Sequence, residues 1–449
     1  MLSPLRNATY RHLFAAQVIA LLGTGLATVA LGLLAYDLAG EDAGIVLGTA
    51  LAIKMIAYVG VSPLAGAFVD IFPRRSFLIG LDIVRACMAL MLPFVTEVWQ
   101  VYVLIFALQS SSAAFTPTFQ ATIPDILPDE KEYTKALSLS RLAYDLESLV
   151  SPMLAASLLT VMSFHWLFAG TAMGFVISAL LVLSVTLPSI AHGLAEAARP
   201  GIYDRTTKGI RYYLATPRLR GLLSLNVAAA AAGAMVIVNT VVYVRAGFGG
   251  DQADVAVALA FFGAGSMAAA LILPKLLETR PDRPIMLGAA VGLVTGLLVM
   301  GAASIGGTSG WGFFLGAWLF LGFCYSGVLT PAGRLLRRSA NPADRPALFA
   351  AQFALSHACW LVTYPLAGWV GAELGLMSAF FVLAAIAAAG VAVALAVWPA
   401  SDPETLMHVH DNLPDDHPHV RDAERTPDGL RHAHTFVIDE HHRKWPGPG

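Results

Sequence analysis

Charge is what this sequence has least of. Asp, Glu, Lys and Arg make up 13% of its 449 residues while apolar residues make up 57%, against about 25% and about 45–50% in an ordinary soluble domain. A water-soluble fold needs a charged exterior, so that class is excluded and the surplus apolar surface must face lipid. Cysteine is scarce too: Cys87, Cys324 and Cys359 stand far apart inside apolar runs. With no C-x-x-C pair there is neither a disulfide framework nor a thiolate zinc site, and packing is the expected role of each. The chain has no G-x-x-x-x-G-K-[ST] segment, which excludes a phosphate-cradling loop of that type and with it ATP-driven work inside the chain. No catalytic constellation is visible, so an enzyme is not expected. A net charge of −2 supplies no basic field for nucleic acid.

What the sequence does have is long apolar runs. A helix crossing a hydrocarbon core of roughly 30 Å needs about 20 mostly apolar residues. Such runs fall at 13–38, 44–69, 77–96, 100–123, 138–162 and 164–187, then at 219–244, 254–274, 285–305, 311–333, 347–371 and 376–398. The first is too long for the core of a secretory signal and reads as a span. Six, a gap and six predict an all-α membrane protein of twelve transmembrane helices. Its parts are an N-terminal six-helix bundle (1–187), a cytoplasmic central loop (188–218), a C-terminal six-helix bundle (219–398) and a tail (399–449). Lys and Arg mark the cytoplasmic side of a membrane protein. Arg6, Arg11, Arg74, Arg75, Lys131, Lys135, the central loop, Arg280, Arg283, Arg334, Arg337, Arg338 and Arg345 all fall on one side, and Arg245 is the lone cation on the other. Both termini are therefore expected in the cytoplasm.

The halves repeat. In GAFVDIFPRRSFLIG from Gly66 and PKLLETRPDRPIMLG from Pro274, Asp70 matches Glu278, Pro73 matches Pro281, Arg75 matches Arg283 and Gly80 matches Gly288. Spans 4 and 10 end alike: Thr116-Pro117 matches Thr330-Pro331, Pro128 matches Pro342, and Glu130-Lys131 matches Asp344-Arg345. Matches in register at the same place in each half point to duplication, a common plan among transporters.

Twelve spans, parallel halves and a basic loop between spans 2 and 3 resemble the major facilitator superfamily. The loop carries the resemblance through Gly66, Asp70, Arg74 and Arg75, with Ile71 and Pro73 departing from the family pattern; Asp82 and Arg85 on span 3 add to it. The variant is closest to the drug- and antibiotic-efflux branches. The resemblance implies that these six residues serve a cytoplasmic gate, with an acid and bases pairing while that side is shut. The alternative is that Arg74 and Arg75 only fix topology. It also implies a monomer.

Ionisable groups inside a span are costly and are functional candidates by default. In SLSRLAYDLESLVSP on span 5, Arg141 and Asp145 are four apart and share a helix face, while Glu147 points elsewhere and meets another helix or another edge of the cavity. On span 11, His357 and Trp360 fall at a comparable level. A histidine there suits proton coupling. Lys54 in span 2, and Asn226 and Asn239 on span 7, complete the candidates for substrate and proton coupling. The competing reading of Arg141 and Asp145 is a structural ion pair, and of His357 an interhelical hydrogen-bonder.

After Trp398 the apolar character stops. Three His-x-His elements (His408/His410, His417/His419, His432/His434) and His441/His442 sit among aspartates. The composition predicts disorder, and imidazoles with carboxylates suit zinc, nickel or copper. The tail is similar to the histidine-rich C-termini of family members that export nickel. A divalent metal here is the only cofactor the sequence raises, and incidental binding is the alternative. The leading expectation is a proton-coupled exporter of small organic compounds (drugs, antibiotics or siderophores) in a bacterial inner membrane. The runner-up is an exporter of divalent cations such as nickel or cobalt. The partners are then substrate, protons and lipid, with no nucleic acid.

Overall fold

The computed structural model describes residues 2–39, 43–68, 73–187, 201–305 and 310–403, and in the tail 405–410, 414, 417–427, 429–442 and 444–446. The first half is α1 (Ala8–Ala39), α2 (Ala43–Phe68), α3 (Arg74–Met91), α4 (Val98–Ile126), α5 (Glu130–Leu159) and α6 (His165–Leu183). A shorter helix, α7 (Ile202–Ala215), leads to α8 (Pro217–Val242), α9 (Gln252–Leu276), α10 (Asp282–Ala303) and α11 (Trp311–Leu329). The seven-residue α12 (Ala332–Arg338), α13 (Arg345–Glu373) and α14 (Gly375–Val397) complete the second half.

Among the described residues, eleven helices are long and apolar enough to cross a membrane. The twelfth span is α5, which has 30 residues but carries Glu130, Lys131, Glu132, Lys135, Arg141, Asp145 and Glu147. Asp129 caps it, its carboxylate accepting from the Glu132 amide at 2.9 Å. Large apolar side chains such as Met153, Trp166, Val176, Leu271 and Trp369 stay exposed around the bundle. In water that surface would drive aggregation; in lipid it is the required coat. The halves meet where α2 packs on α13 and α5 on α9.

Two elements differ from the sequence reading. The segment read as a loop at 188–218 contains α7; residues 188–200 lie outside the described residues. Alpha-7 is amphipathic, packing on α2 and α13, and at Gly209 it comes so close to α13 that a Cβ would sit 2.1 Å from the Ala347 carbonyl oxygen. The second is the tail. Instead of disorder, its described residues form a three-stranded antiparallel sheet of β1 (Thr405–His410), β2 (Glu424–Thr426) and β3 (Gly429–Thr435), in the order β1-β3-β2. Composition misled because Val420, Leu430, Phe436, Val437 and Ile438, few as they are, all go inside. Arg218, itself 1% exposed, ties the tail to the bundle through Asp402 at 3.4 Å.

Packing between spans relies on glycine where backbones cross. A Cβ on Gly265 of α9 would lie 1.9 Å from the Leu319 carbonyl oxygen, and one on Gly322 of α11 1.9 Å from that of Phe262. Membrane helices associate largely through such close contact. Gly265→Leu or Gly322→Leu is expected to destabilise the protein by about 1–3 kcal/mol through overpacking, read as a lower melting temperature in detergent. Gly316→Leu, with nothing within 4 Å of the added carbon, leaves it unchanged.

Candidate functional site

The arginine-rich end of the bundle, where α3, α5, α10 and α13 begin, α4 ends and α12 lies, is closed by ion pairs. Asp125, at the end of α4, takes Arg74 Nη1 on one carboxylate oxygen at 2.7 Å and Arg345 Nη1 on the other at 2.5 Å. Arg74 belongs to the same half as Asp125 and Arg345 to the other. In the second half Asp282, only 2% exposed, takes Arg334 at 2.9 Å and Arg338 at 3.2 Å. Arg334 crosses to Glu130 at 2.6 Å and donates to Thr134 Oγ1 at 2.6 Å. The Tyr133 hydroxyl donates to the Gly333 carbonyl at 3.2 Å, and Arg337 to that of Pro128. Lys208 on α7 pairs with Asp344 at 2.7 Å. Burial works against the Lys208 ammonium, but the Asp344 carboxylate outweighs it and holds the amine above its usual value.

Of the residues expected at a gate, Gly66 and Arg74 are at this junction. Gly66 lets α2 touch α13, where a Cβ would lie 2.9 Å from that of Ala350, and the neighbouring Ser62 hydroxyl donates to the Ala350 carbonyl at 3.0 Å. Asp70 lies outside the described residues. Arg75 points elsewhere and donates to the Leu183 carbonyl at the end of α6. Asp82 and Arg85 are not at the junction. They pair with each other, Ser178 donates to Asp82 at 2.8 Å, and the Arg85 guanidinium lies 4.0 Å from the Phe115 ring and 4.5 Å from that of Phe175. Buried among α3, α4 and α6, this pair braces one half, and the spacing of three that put Arg85 beside Asp82 was a helix-internal pairing. Asp125, Asp282 and Arg334 were missed. For Asp282 a signal lay in the repeat, since the offset that aligns Arg75 with Arg283 also sets Arg74 opposite Asp282; Asp125 and Arg334 have no such mark.

Deeper in the bundle the second set of polar groups comes together from both halves. Arg141 donates to Asp145 at 2.6 Å and to Ser266 Oγ of α9 at 3.0 Å, and its guanidinium lies 5.0 Å from the Tyr325 ring. Tyr325 is in ring contact with Trp360, and Trp360 with Tyr364, at 6.1 and 5.0 Å. Gly233 makes room for that stack, since a Cβ there would lie 2.3 Å from Trp360. Across α2, Lys54 sits 5.6 Å from the Tyr58 ring centre, Tyr58 donates to Gln109 at 3.0 Å, and His357 meets Tyr58 edge-on at 4.8 Å. His357 Nδ1 is 2.7 Å from the Phe353 carbonyl, so Nδ1–H donates and Nε2 is left to face its surroundings. Glu147 turns away from Asp145 toward α1, where its Oε1 is 3.0 Å from the position a Cβ would take on Gly25. Asn226 and Asn239 are buried in α8. Asn239 donates to the Ala367 carbonyl at 3.1 Å, a bond between α8 and α13 within one half. Arg141, Asp145, Lys54, Glu147, His357 and Trp360 thus form one membrane-embedded polar region, and Asn239 stands outside it.

In the tail, His408, His410, His419, His432, His434 and His442 converge, while His417 and His441 meet edge-on at 5.1 Å beside them.

The profile of the Major Facilitator Superfamily matches residues 13–309 and, overlapping, 222–413. The chain belongs to that superfamily. Macrolide efflux protein A of Enterococcus faecalis is 29% identical over 154 residues, covering 32% of this chain and 47% of the relative. Macrolide efflux protein A of Streptococcus pyogenes is 26% identical over 183 residues, covering 40% of this chain and 44% of the relative. The matches thus span less than half the length of these relatives. Among solved structures, the human organic anion transporter MFSD10 (TETRAN) superposes with a TM-score of 0.74 at 13% identity, over 88% of this chain and all (100%) of that one. A bacterial homologue of the iron transporter ferroportin, in its outward-facing state, gives 0.70 at 15% identity over 87% and 98%. At such identities the likeness is one of fold: the two-bundle plan is that of a facilitator.

The junction of the halves at this end rests on these few cross-half contacts. A charge-assisted hydrogen bond of the Asp125–Arg345 kind is worth about 1.5–3 kcal/mol, and each 1.4 kcal/mol or so is a tenfold change in a two-state ratio. Arg345→Gln is therefore expected to raise the thiol-labelling rate of a cysteine placed at Ser62, which is 0% exposed, by about tenfold or more. Arg75→Gln leaves that rate as it was. Equal rates in all three backgrounds would remove the Asp125 pairing from the gate.

Proposed function

We propose that this chain is a secondary active exporter of small organic compounds, coupled to protons, with its arginine-rich end in the cytoplasm and closed. The observation that carries the reading is the placement of charge. One end of the bundle is sealed by ion pairs between the halves, and a second group (Arg141, Asp145, Lys54, Glu147 and His357) is held within the hydrocarbon span by helices of both halves. A charge at mid-membrane costs about 2.5–3.5 kcal/mol even on the lenient insertion scale, so a set of them in one region marks a transport route better than it marks a structural brace.

The orientation follows from the basic residues at the sealed end. A bundle sealed toward the cytoplasm is the outward-facing state, in which the bacterial ferroportin homologue also stands. Both termini are then cytoplasmic and the membrane is the bacterial inner membrane, the setting suggested by relatives from bacteria. The substrate class rests on the lining, where the rings of Tyr325, Trp360 and Tyr364 offer flat apolar faces beside the Arg141–Asp145 pair. Amphipathic organic molecules fit such a lining, and the relatives named for macrolide efflux point the same way. Lys54 and Arg141 put two fixed cations into the same region, which opposes a divalent metal ion as cargo.

Coupling is assigned to the carboxylates. Glu147 turns toward α1, and Asp145 accepts from Arg141. A proton arriving from outside neutralises a carboxylate and loosens its hold on the neighbouring cation, and reopening toward the cytoplasm returns the proton as substrate enters. Everted membrane vesicles measure this directly. Glu147→Gln is expected to reduce proton-driven efflux of a macrolide or a cationic dye by at least about tenfold while the amount of protein in the membrane is unchanged. Asp145→Asn does the same and also loosens Arg141. Full efflux in both variants would sink the coupling assignment, and absence of organic efflux in the wild type would sink the substrate class.

A further inference from the structure

The six tail histidines that converge do so with a particular symmetry. His408 and His410 alternate on β1 and His432 and His434 on β3, so each pair projects from one face of its strand. The register sets His408 opposite His432 and Leu406 opposite His434, so the two pairs share that face. His419 comes from a single 3-10 turn, Pro418–Val420, and His442 from the turn after β3. Ring centroids are 4.6–5.1 Å apart for twelve of the fifteen pairs among these six rings. The three pairs not in contact are His408/His419, His410/His434 and His432/His442, and no residue occurs twice among them. Six points with twelve near pairs and three far pairs that share no member have the adjacency of an octahedron.

The nitrogens of five of the six, His408, His410, His419, His432 and His442, agree with the rings, each offering a ligand atom within 4.8 Å of the others. Nε2 of His408 lies 3.1 Å from that of His410, 3.1 Å from that of His432 and 3.0 Å from that of His442, and Nε2 of His419 lies 3.2 Å from that of His442. Every one of these is an edge and none is an axis. A neutral imidazole Nε2 holds either one hydrogen or one lone pair, so His408 cannot bond to three other nitrogens in turn. A shared cation meets all of them. Around a right-angled centre, edges of this length put each nitrogen about 2.2 Å away, close to the usual metal–imidazole distance of about 2.0–2.1 Å, whereas tetrahedral bonds of that usual length give edges of about 3.4 Å.

The outer nitrogens are tied down as ligating histidines require. Nδ1 of His408 is 3.1 Å from the Leu406 carbonyl, that of His434 is 2.8 Å from the Thr435 carbonyl, and that of His442 is 2.9 Å from Asp439 Oδ1. Each Nδ1–H therefore donates outward, which leaves the Nε2 lone pair aimed at the centre. Nε2 of His434 is buried with no hydrogen-bond partner.

We propose that the tail is a folded binding site for one divalent transition-metal cation, held octahedrally by His408, His410, His419, His432, His434 and His442. Six neutral nitrogens with no thiolate and no carboxylate select a cation that accepts six-coordination, of the nickel, cobalt and ferrous type, ahead of zinc, which settles with four. The site is separate from the membrane-embedded polar region, so it stands whether or not the transport reading does. His417 and His441 lie outside the set, which splits two of the histidine pairs visible in the sequence.

The test uses the full-length chain, without a histidine tag, purified in detergent and titrated with cobalt(II) and nickel(II) chloride against a competing chelator. One equivalent per chain is expected. The cobalt form should show the weak visible bands of a six-coordinate centre rather than the roughly tenfold stronger ones of a tetrahedral centre. His410→Ala and His434→Ala each lower affinity by about 10–100-fold or more, while His417→Ala and His441→Ala leave it unchanged. An intense tetrahedral spectrum, several loose equivalents per chain, or affinity indifferent to His410 and His434 would each overturn the site. The wild-type cobalt spectrum needs no variant, so a misfolded substitution does not blunt the test.

Discussion

A charge in or beside hydrocarbon is tolerable only while something neutralises it, and this constraint orders the molecule. Asp125 holds two arginines, one from its own half and one from the other. Asp282 holds two from its own half, and one of those, Arg334, also reaches Glu130 across the junction. The door between the bundles is thus made of second contacts. Were the halves to part, Asp125 would keep Arg74 and Asp282 would keep Arg334 and Arg338, while Arg345, Arg334 and the half-exposed Glu130 would each lose a partner. No buried carboxylate would be stranded, which is the outcome that makes breaking a buried ion pair cost several kcal/mol.

The membrane-embedded polar region obeys the same constraint with less slack. Arg141 is satisfied by Asp145 and by Ser266 of the opposite half, so the pair that neutralises a charge in α5 also ties α5 to α9. His357 and Tyr58 do the like between α13 and α2. These helix pairs, with α4 on α13, are where the bundles meet, so the buried polar groups lie on the contacts that hold the halves together.

Much of this was legible in the sequence where a signal is periodic or repeated. Span count, bundle division and the in-span ionisable groups were visible because about 20 apolar residues in a row have few other uses. The start of α5 was placed late, at 138 instead of 130, because its first turns are charged and lie at the rim. The gate was read only in part. Attention to the loop between spans 2 and 3 found Arg74, while its partner Asp125 sits 51 residues on in an unremarked Pro-Asp step. Charge partners across a fold leave no local pattern. The tail was misjudged for a different reason: TLMHVH and RHAHT alternate with period two, which is a strand signal, but low apolar content outweighed it. A small sheet whose centre is filled by imidazoles does not need the usual share of aliphatic residues.

The repeat reverses one charge between the halves, setting Arg74 against Asp282, while Arg75 and Arg283 keep the same sign. Among the described residues, the ion pairs across the junction all run one way, from acids of the first half (Asp125, Glu130) to arginines of the second (Arg345, Arg334). Two copies of the first half brought together would set carboxylate against carboxylate, and two copies of the second guanidinium against guanidinium. Like-charge contact of that kind excludes wrong partners at an interface. That one-way polarity favours closure of the first bundle on the second over closure of either bundle on a copy of itself.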